Sequence, residues 1–220
     1  MQDLIKQEQF ELEVLDKLNS KKLLDKFAFG GGTMLRLCHG LDRYSIDLDF
    51  WIIREVNRNK LLKGLKRYLS EFYDVVDSAD KFYTLLLEIR SHAYPRSLKI
   101  EIRKETKHIK TETAIAYSKY SNLQVFLRTV TLEAMAVAKI EALLERKEIR
   151  DAFDLEFLVK RGVGLNLAGK KAAKALEVID NFSNRDYAVK LGSLLEPEAR
   201  KYYTKENFKI LKSAVSDSLT

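Results

Sequence analysis

Apolar positions along the chain follow two different periods, and the texture changes near residue 130. In the opening segment Leu4, Leu12, Leu15 and Leu18 fall near one stripe, which predicts an amphipathic helix. FAF (27–29) reads as a short buried strand running into Gly30, Gly31 and Gly32, with Thr33 placed to cap a helix over MLRLC. SIDLDFWII (45–53) alternates as a half-buried strand does, and a helix is expected over about 56–72. KFYTLLLEIR (81–90) and SLKIEIRK (97–104) predict two strands, with Tyr94 and Pro95 marking the turn between them. LQVFLRTV (123–130) is a strand or a strand-to-helix junction.

Beyond that point nearly every segment has helical period. Thr131 is the expected N-cap of a helix over 131–146, with Glu133 in the first turn, where the helix dipole favours negative charge. A second helix over about 150–161 is stopped at Gly162 and Gly164, and others are expected near 168–180, 184–195 and 204–217. The expected class is therefore α+β, a mixed α/β half over residues 1–130 followed by a helical half over 131–220.

Composition narrows the class without deciding the function. No stretch approaches the roughly 18 uncharged apolar residues of a spanning helix, and the N-terminal pattern is charged and amphipathic, unlike a signal peptide. With a single cysteine, Cys38, neither an intramolecular disulfide nor a cysteine-rich zinc site is possible, and a cytoplasmic location without membrane contact is expected. The net charge of +7 and pI near 9.3 favour an anionic partner, although a lysine-rich surface also serves solubility alone.

Candidate chemistry centres on Asp47 and Asp49. Residues two apart on a strand face the same way, their Cα atoms about 6.5–7 Å apart, so both carboxylates can bracket divalent metal while Leu48 and Phe50 turn to the core. Magnesium takes oxygen ligands and keeps waters, which two aspartates and phosphate oxygens satisfy. Two solvated carboxylates on an exposed face are the plain alternative. Gly31 and Gly32 upstream allow close backbone approach to a ligand, and the Thr33 hydroxyl at a helix start can hold phosphate. Glu101 shares a strand face with Lys99 and Arg103; beside 45–53 it would supply a third carboxylate or a general base. Arg43 and Ser45 could meet phosphate or orient a carboxylate.

In the helical half Lys139, Arg146 and Arg150 lie near one line if the helix is continuous. Lys139 sits among Ala136, Val137, Ala138 and Ile140, where an ammonium needs an anionic partner such as a triphosphate. Local pairing of Arg150 with Asp154, and of Arg146 with Asp151, is the alternative. His39, His92 and His108 read as structural or surface residues. Trp51 could stack on a base but fits core packing better, and the basic runs 58–67 and 103–110 suit either RNA backbone or solvent.

FGGGTMLRLCHGLDRYSIDLDFW resembles the signature of the AbiEii/AbiGii family of nucleotidyltransferase-like toxins, and KIEALLERKEIRDAFDLEFLV resembles its second signature. The resemblance spans roughly residues 25–160, with a third glycine, Gly30, ahead of the usual pair. It implies a polymerase-β-like nucleotidyltransferase core with a mixed sheet and a helical C-terminal half. It implies that Gly31, Gly32 and Thr33 contact nucleotide, that Asp47 and Asp49 bind Mg²⁺ (or Mn²⁺), and that Lys139 meets the phosphates of an NTP. Asp151 and Asp154 would complete the site from the helical side, Asp154 touching ligand or Lys139. The resemblance also implies a toxin of a toxin–antitoxin or phage abortive-infection system, acting on an RNA acceptor such as tRNA, with an antitoxin that typically carries a DNA-binding domain. A non-catalytic module that binds nucleotide or RNA to regulate, and a kinase-like phosphoryl transferase, are the rival readings. The paired aspartates argue against the first, since binding alone needs no paired metal carboxylates.

Overall fold

The computed structural model describes residues 1–105 and 108–218 of the 220. The chain divides into one compact unit of Met1–Gly40 with Tyr44–Val130 and a second of Leu41–Arg43 with Thr131–Thr220.

The first unit is built on one mixed sheet. Its strands are β1 (Phe27–Gly30), β2 (Asp47–Ile52), β3 (Asp74–Asp80), β4 (Thr84–Arg90), β5 (Leu98–Arg103), β6 (Thr111–Tyr117) and β7 (Gln124–Val130). They lie in the order β3-β4-β5-β2-β1-β7-β6, with β2 parallel to β5, β1 parallel to β7 and the other neighbours antiparallel. Leu48, Phe50, Ile100, Ile102, Leu85 and Leu87 are buried, as alternation requires of one covered face. The helices of this unit are α1 (Gln2–Ser20), α2 (Gly31–His39) and α3 (Arg58–Leu69), the last seated by Leu61, Leu65 and Leu69 and capped by the Asn57 side chain, which accepts from the Lys60 amide.

Two strands escape the sequence pattern for physical reasons. β3 carries Asp74, Asp77 and Asp80 with a register shift between Val75 and Asp77, features of a charged, irregular edge rather than of an alternating strand. β6 is the opposite edge and, among the described residues, pairs with β7 alone. The strand expected from residue 81 starts at Thr84, because residues 81–83 form the β3–β4 turn.

The second unit holds α4 (Leu132–Arg146), α5 (Ile149–Lys160), α6 (Gly169–Asp180), α7 (Pro197–Glu206) and α8 (Lys209–Ser216). Thr131 caps α4, its hydroxyl accepting from the Ala134 amide. The helix expected at 184–195 is a π-helical turn, Asp186–Leu191, followed by a 3-10 turn, Gly192–Leu194. That expected at 204–217 is divided by Asn207 and Phe208, both left-handed, so that the chain turns between α7 and α8. No helix among the described residues is long and apolar enough to cross a membrane.

The buried stripe of α1 is not wholly apolar. Gln7, Glu8 and Glu11 are buried with Leu4, Leu12, Leu15 and Leu18. The Gln7 amide donates to the carbonyls of Ile46 and Ser97, while Glu8 pairs with Arg36 and accepts from the Ser118 hydroxyl. Neither carboxyl oxygen of Glu11 has a hydrogen-bond partner among the described residues. Burial above all, then the charge of Glu8, pushes the Glu11 pKa well above its ordinary 4.5; Arg36 opposes this and Asp47 adds to it. The fold thus favours the protonated acid, so the contribution of Glu11 to stability is greatest below its unfolded pKa and declines as pH rises towards its folded value. Glu11→Gln should raise stability by about 1–3 kcal/mol near neutral pH, with the gain shrinking below about pH 4.5. Urea unfolding of both proteins across that range measures it, and a gain independent of pH would refute the assignment.

Candidate active site

The turn from β1 into α2 sets the site. Gly30 pairs with Asp49 across the antiparallel β1–β2 ladder, and Gly31 opens α2 at φ 74°. A Cβ on Gly31 would overlap the Asp49 carboxylate, and one on Gly30 would fall within the Trp51 ring. The glycines are therefore needed for close approach, and Gly30, whose purpose the sequence alone leaves open, makes room for Trp51. That ring is buried, which favours packing over base stacking. Gly32 lies buried in the first turn of α2.

Thr33 is not the helix cap. Gly30 occupies the N-cap position, and Thr33 is buried within α2, where its hydroxyl donates to the Asp47 carbonyl at 2.6 Å. This bond spends the hydroxyl hydrogen on anchoring the aspartate strand to the helix rather than on phosphate. Ser45 is half-buried and precedes β2, which begins at Asp47.

In the parallel β2–β5 ladder Asp47 lies opposite Lys99, and Asp49 opposite Glu101. Partners in register share a face, so Asp47, Asp49 and Glu101 rise from the same side of the sheet, with neighbouring strands about 4.8 Å apart. All three are half-buried, while the intervening Leu48 and Ile100 are buried beneath the other face. No group of three or more His, Cys, Asp and Glu among the described residues is already gathered to hold a metal ion. Magnesium does not require such a cage: one or two carboxylates, waters and substrate phosphates complete its shell. The all-oxygen donor set on this face fits such an ion. The other nucleophile in this region is poorly suited to chemistry, since burial, with a smaller effect from Glu112, pushes the Cys38 thiol up to about 12.

The second unit carries a chain of alternating charges. Arg43 donates twice to Asp154, from Nε to Oδ1 and from Nη2 to Oδ2, each at 2.7 Å. Lys139 Nζ lies 2.6 Å from Asp154 Oδ2 and 3.0 Å from Asp151 Oδ1, and Arg146 reaches both oxygens of Asp151 at 2.9 Å. Arg43, Lys139, Asp151 and Asp154 are buried; Arg146 is exposed. Burial alone would raise the Asp154 pKa, but the charges and hydrogen bonds of Arg43 and Lys139 hold it below its ordinary value.

This arrangement chooses among the alternatives the sequence leaves open and removes two expectations, the Arg150–Asp154 pair and the continuous cationic stripe. Arg43 orients a carboxylate rather than standing open to phosphate. The anionic partners of Lys139 are Asp151 and Asp154, as its apolar neighbours required. The pairing of Arg146 with Asp151 forms, whereas Asp154 is engaged by Arg43 and Lys139 instead of Arg150. A continuous stripe through Arg150 does not exist, because α4 ends at Lys147 in a left-handed conformation before α5 begins. Sequence reasoning also missed the buried acids of α1. The available signal was positional: Glu8 and Glu11 occupy steps of the same stripe as Leu4, Leu15 and Leu18.

A family model described as "Nucleotidyl transferase AbiEii toxin, Type IV TA system" matches residues 13–217. The chain belongs to this AbiEii family. Among solved structures it is similar to a crystal structure described as a nucleotidyltransferase from H. pylori, with 20% identity, TM-score 0.56, and coverage of 94% of this chain and 96% of that one. It is equally similar to JHP933 from Helicobacter pylori, with 20% identity, TM-score 0.56, and coverage of 94% and 93%. At that identity the likeness shows a shared nucleotidyltransferase-like fold, as expected for an AbiEii member. A search of curated proteins finds no match.

The charge chain of the AbiEii helical unit has a measurable consequence. Asp154→Asn leaves Arg43 and Lys139 buried around a neutral amide and should cost about 3–5 kcal/mol at neutral pH. Because the folded pKa of Asp154 is lowered, its contribution is fully present above the unfolded carboxylate range, and is lost only as pH falls through the folded value. Denaturant unfolding of the two proteins at about pH 5 and pH 7 should therefore give similar differences. A change under about 1 kcal/mol at both would show that the pair contributes little.

Proposed function

We propose that the chain transfers a nucleoside monophosphate from an NTP to a hydroxyl of an RNA, with tRNA the favoured acceptor, as the toxin of a toxin–antitoxin pair. The observation that carries this reading is the β2–β5 register, with Asp49 opposite Glu101 and Asp47 on the same face, beside a glycine turn cut to the shape of Asp49. The acceptor oxygen forms a bond to the α-phosphorus, the bond from that phosphorus to the bridging oxygen breaks, and pyrophosphate leaves.

Asp47 and Asp49 would hold a divalent cation, with Glu101 available as a further ligand. When bound, such a cation supplies charge neutralisation at the triphosphate and activation of the attacking hydroxyl. Glu101 accepts the proton of that hydroxyl where it acts as base instead. Gly31 and Gly32 bring main chain close to the nucleotide at the start of α2. Thr33 acts by anchoring Asp47, and Ser45 lies on the approach to the aspartates.

Within the helical unit, Lys139 is the candidate for a phosphate contact. An ammonium has three donors, of which Asp151 and Asp154 take two. Arg146 is open to solvent and Arg150 is half-buried, so both remain candidates for outer phosphate contacts. The proposed antitoxin is a separate protein with a DNA-binding domain.

The test uses α-labelled and γ-labelled NTPs with total tRNA and Mg²⁺. Wild type should place only the α label on RNA, and Asp49→Ala should reduce incorporation by at least about a hundredfold, as for loss of a group acting in the transition state. Transfer of the γ label would mean phosphoryl transfer instead. NTP binding that is tight without Mg²⁺ and never followed by transfer would favour the regulatory module.

A further inference from the structure

The most exposed large hydrophobic side chains of the first unit stand side by side at the β3–β4 turn: Phe82 is 84% exposed and Tyr83 77%. Their rings meet edge to face, with centroids 4.5 Å apart. The turn carrying them is held by the sheet. The Lys104 amide donates to the Tyr83 carbonyl at 3.0 Å, the Lys104 ammonium reaches the Phe82 carbonyl at 3.4 Å and pairs with Asp80, and the Lys81 amide bonds the Thr84 carbonyl. Arg58, the first residue of α3, donates to the Lys104 carbonyl at 3.0 Å. Two aromatic rings are thus presented to water on a braced hairpin, an arrangement that burial alone does not reward.

The neighbourhood is polar, mixed in charge at the turn and basic along α3. A groove of about 770 Å³ beside the turn is lined by Asn57, Arg58, Asn59 and Lys104, along with Glu55 and Asp80, the latter already paired. α3 continues from this groove with Lys60, Lys63, Lys66 and Arg67 and no acidic residue anywhere in the helix; Lys60, Lys66 and Arg67 are exposed. The basic run 103–110 begins at the same end of the sheet, although residues 106–107 lie outside the described residues.

We infer that α3 and the β3–β4 turn form a docking surface for single-stranded RNA, with phosphates tracking the lysines of α3 and an unpaired base stacking on Phe82 or Tyr83. This deepens the proposed function, on which it rests for the choice of RNA. Charge complementarity favours a polyanion, and a flat aromatic face accepts any base. A bilayer would have to cover the polar groove, stripping water from Asn57, Asn59 and the Glu55 carboxylate without replacing their hydrogen bonds.

The experiment follows fluorescence anisotropy of a fluorescein-labelled single-stranded RNA and of bulk tRNA, without NTP, over a range of salt. Phe82→Ala/Tyr83→Ala should weaken binding roughly tenfold to a hundredfold while leaving the salt slope unchanged. Lys60→Glu/Lys66→Glu should weaken binding and flatten the slope of log K against log salt by about one for each phosphate no longer held. All these side chains are exposed, and circular dichroism checks that the variants are folded. Wild-type binding by either variant overturns the surface. So does binding to phosphatidylserine vesicles that exceeds RNA binding and is lost in the aromatic variant. RNA that binds here but is never labelled in the transfer assay upholds the docking surface and overturns the transfer reading.

Discussion

The close approach between Gly31 and the Asp49 carboxylate is the interaction on which the candidate site depends. It is possible only because Gly31 has no Cβ and adopts a positive φ at the first residue of α2. From it follow the pairing of Gly30 with Asp49, the bond from Thr33 to the Asp47 carbonyl, and the position of both aspartates at one end of β2. Main-chain ladder bonds then carry that placement to β5, where Glu101 meets Asp49 in register. The carboxylates are positioned by backbone, which is stiffer than any arrangement of long side chains.

The helical unit solves a different problem. Lys139, Asp151 and Asp154 project from two helices separated by a left-handed residue, and all three are buried. An alternating chain ending in exposed Arg146 sets each buried charge against an opposite one, which offsets the cost of desolvation. The depressed Asp154 pKa is the signature of that balance, with the opposing charges outweighing desolvation. The bidentate geometry of Arg43 adds direction, fixing the Asp154 carboxylate plane and so the side from which Lys139 approaches.

Much of this is legible in the sequence where a local rule applies. The alternation of 45–53 and 97–104 announces β2 and β5 and places their acids on one face, and Thr131 announces α4. The α+β class and the family follow from those patterns and the two motifs. What is not legible is set by partners distant in sequence. Thr33 looks like a cap because threonine before a helical run usually is one, yet the glycine turn starts the helix earlier and turns its hydroxyl towards β2. Whether Arg43 meets phosphate or orients a carboxylate stays open in the sequence because the acid that claims it, Asp154, lies 111 residues away. β3 is hidden because an edge strand is rich in the aspartates that a central strand excludes.

The acids of α1 show why such departures concentrate near a site. A stripe of leucines would have packed without an uncompensated carboxyl, yet Glu8 and Glu11 take two of its positions, and Asp47 adds its charge to theirs. Arg36, paired with Glu8, opposes that accumulation, and the Glu11 pKa is raised nonetheless. The upward shift of the Glu11 pKa answers to burial first and then to that accumulation, and a cation on the aspartates would oppose it. The two are linked: positive charge bound near Asp47 lowers the free energy of an ionised Glu11, and an ionised Glu11 strengthens attraction for that charge. Under the proposed metal binding at Asp47 and Asp49, the buried Glu11 would therefore act as a reserve of negative potential, maintained at the expense of stability.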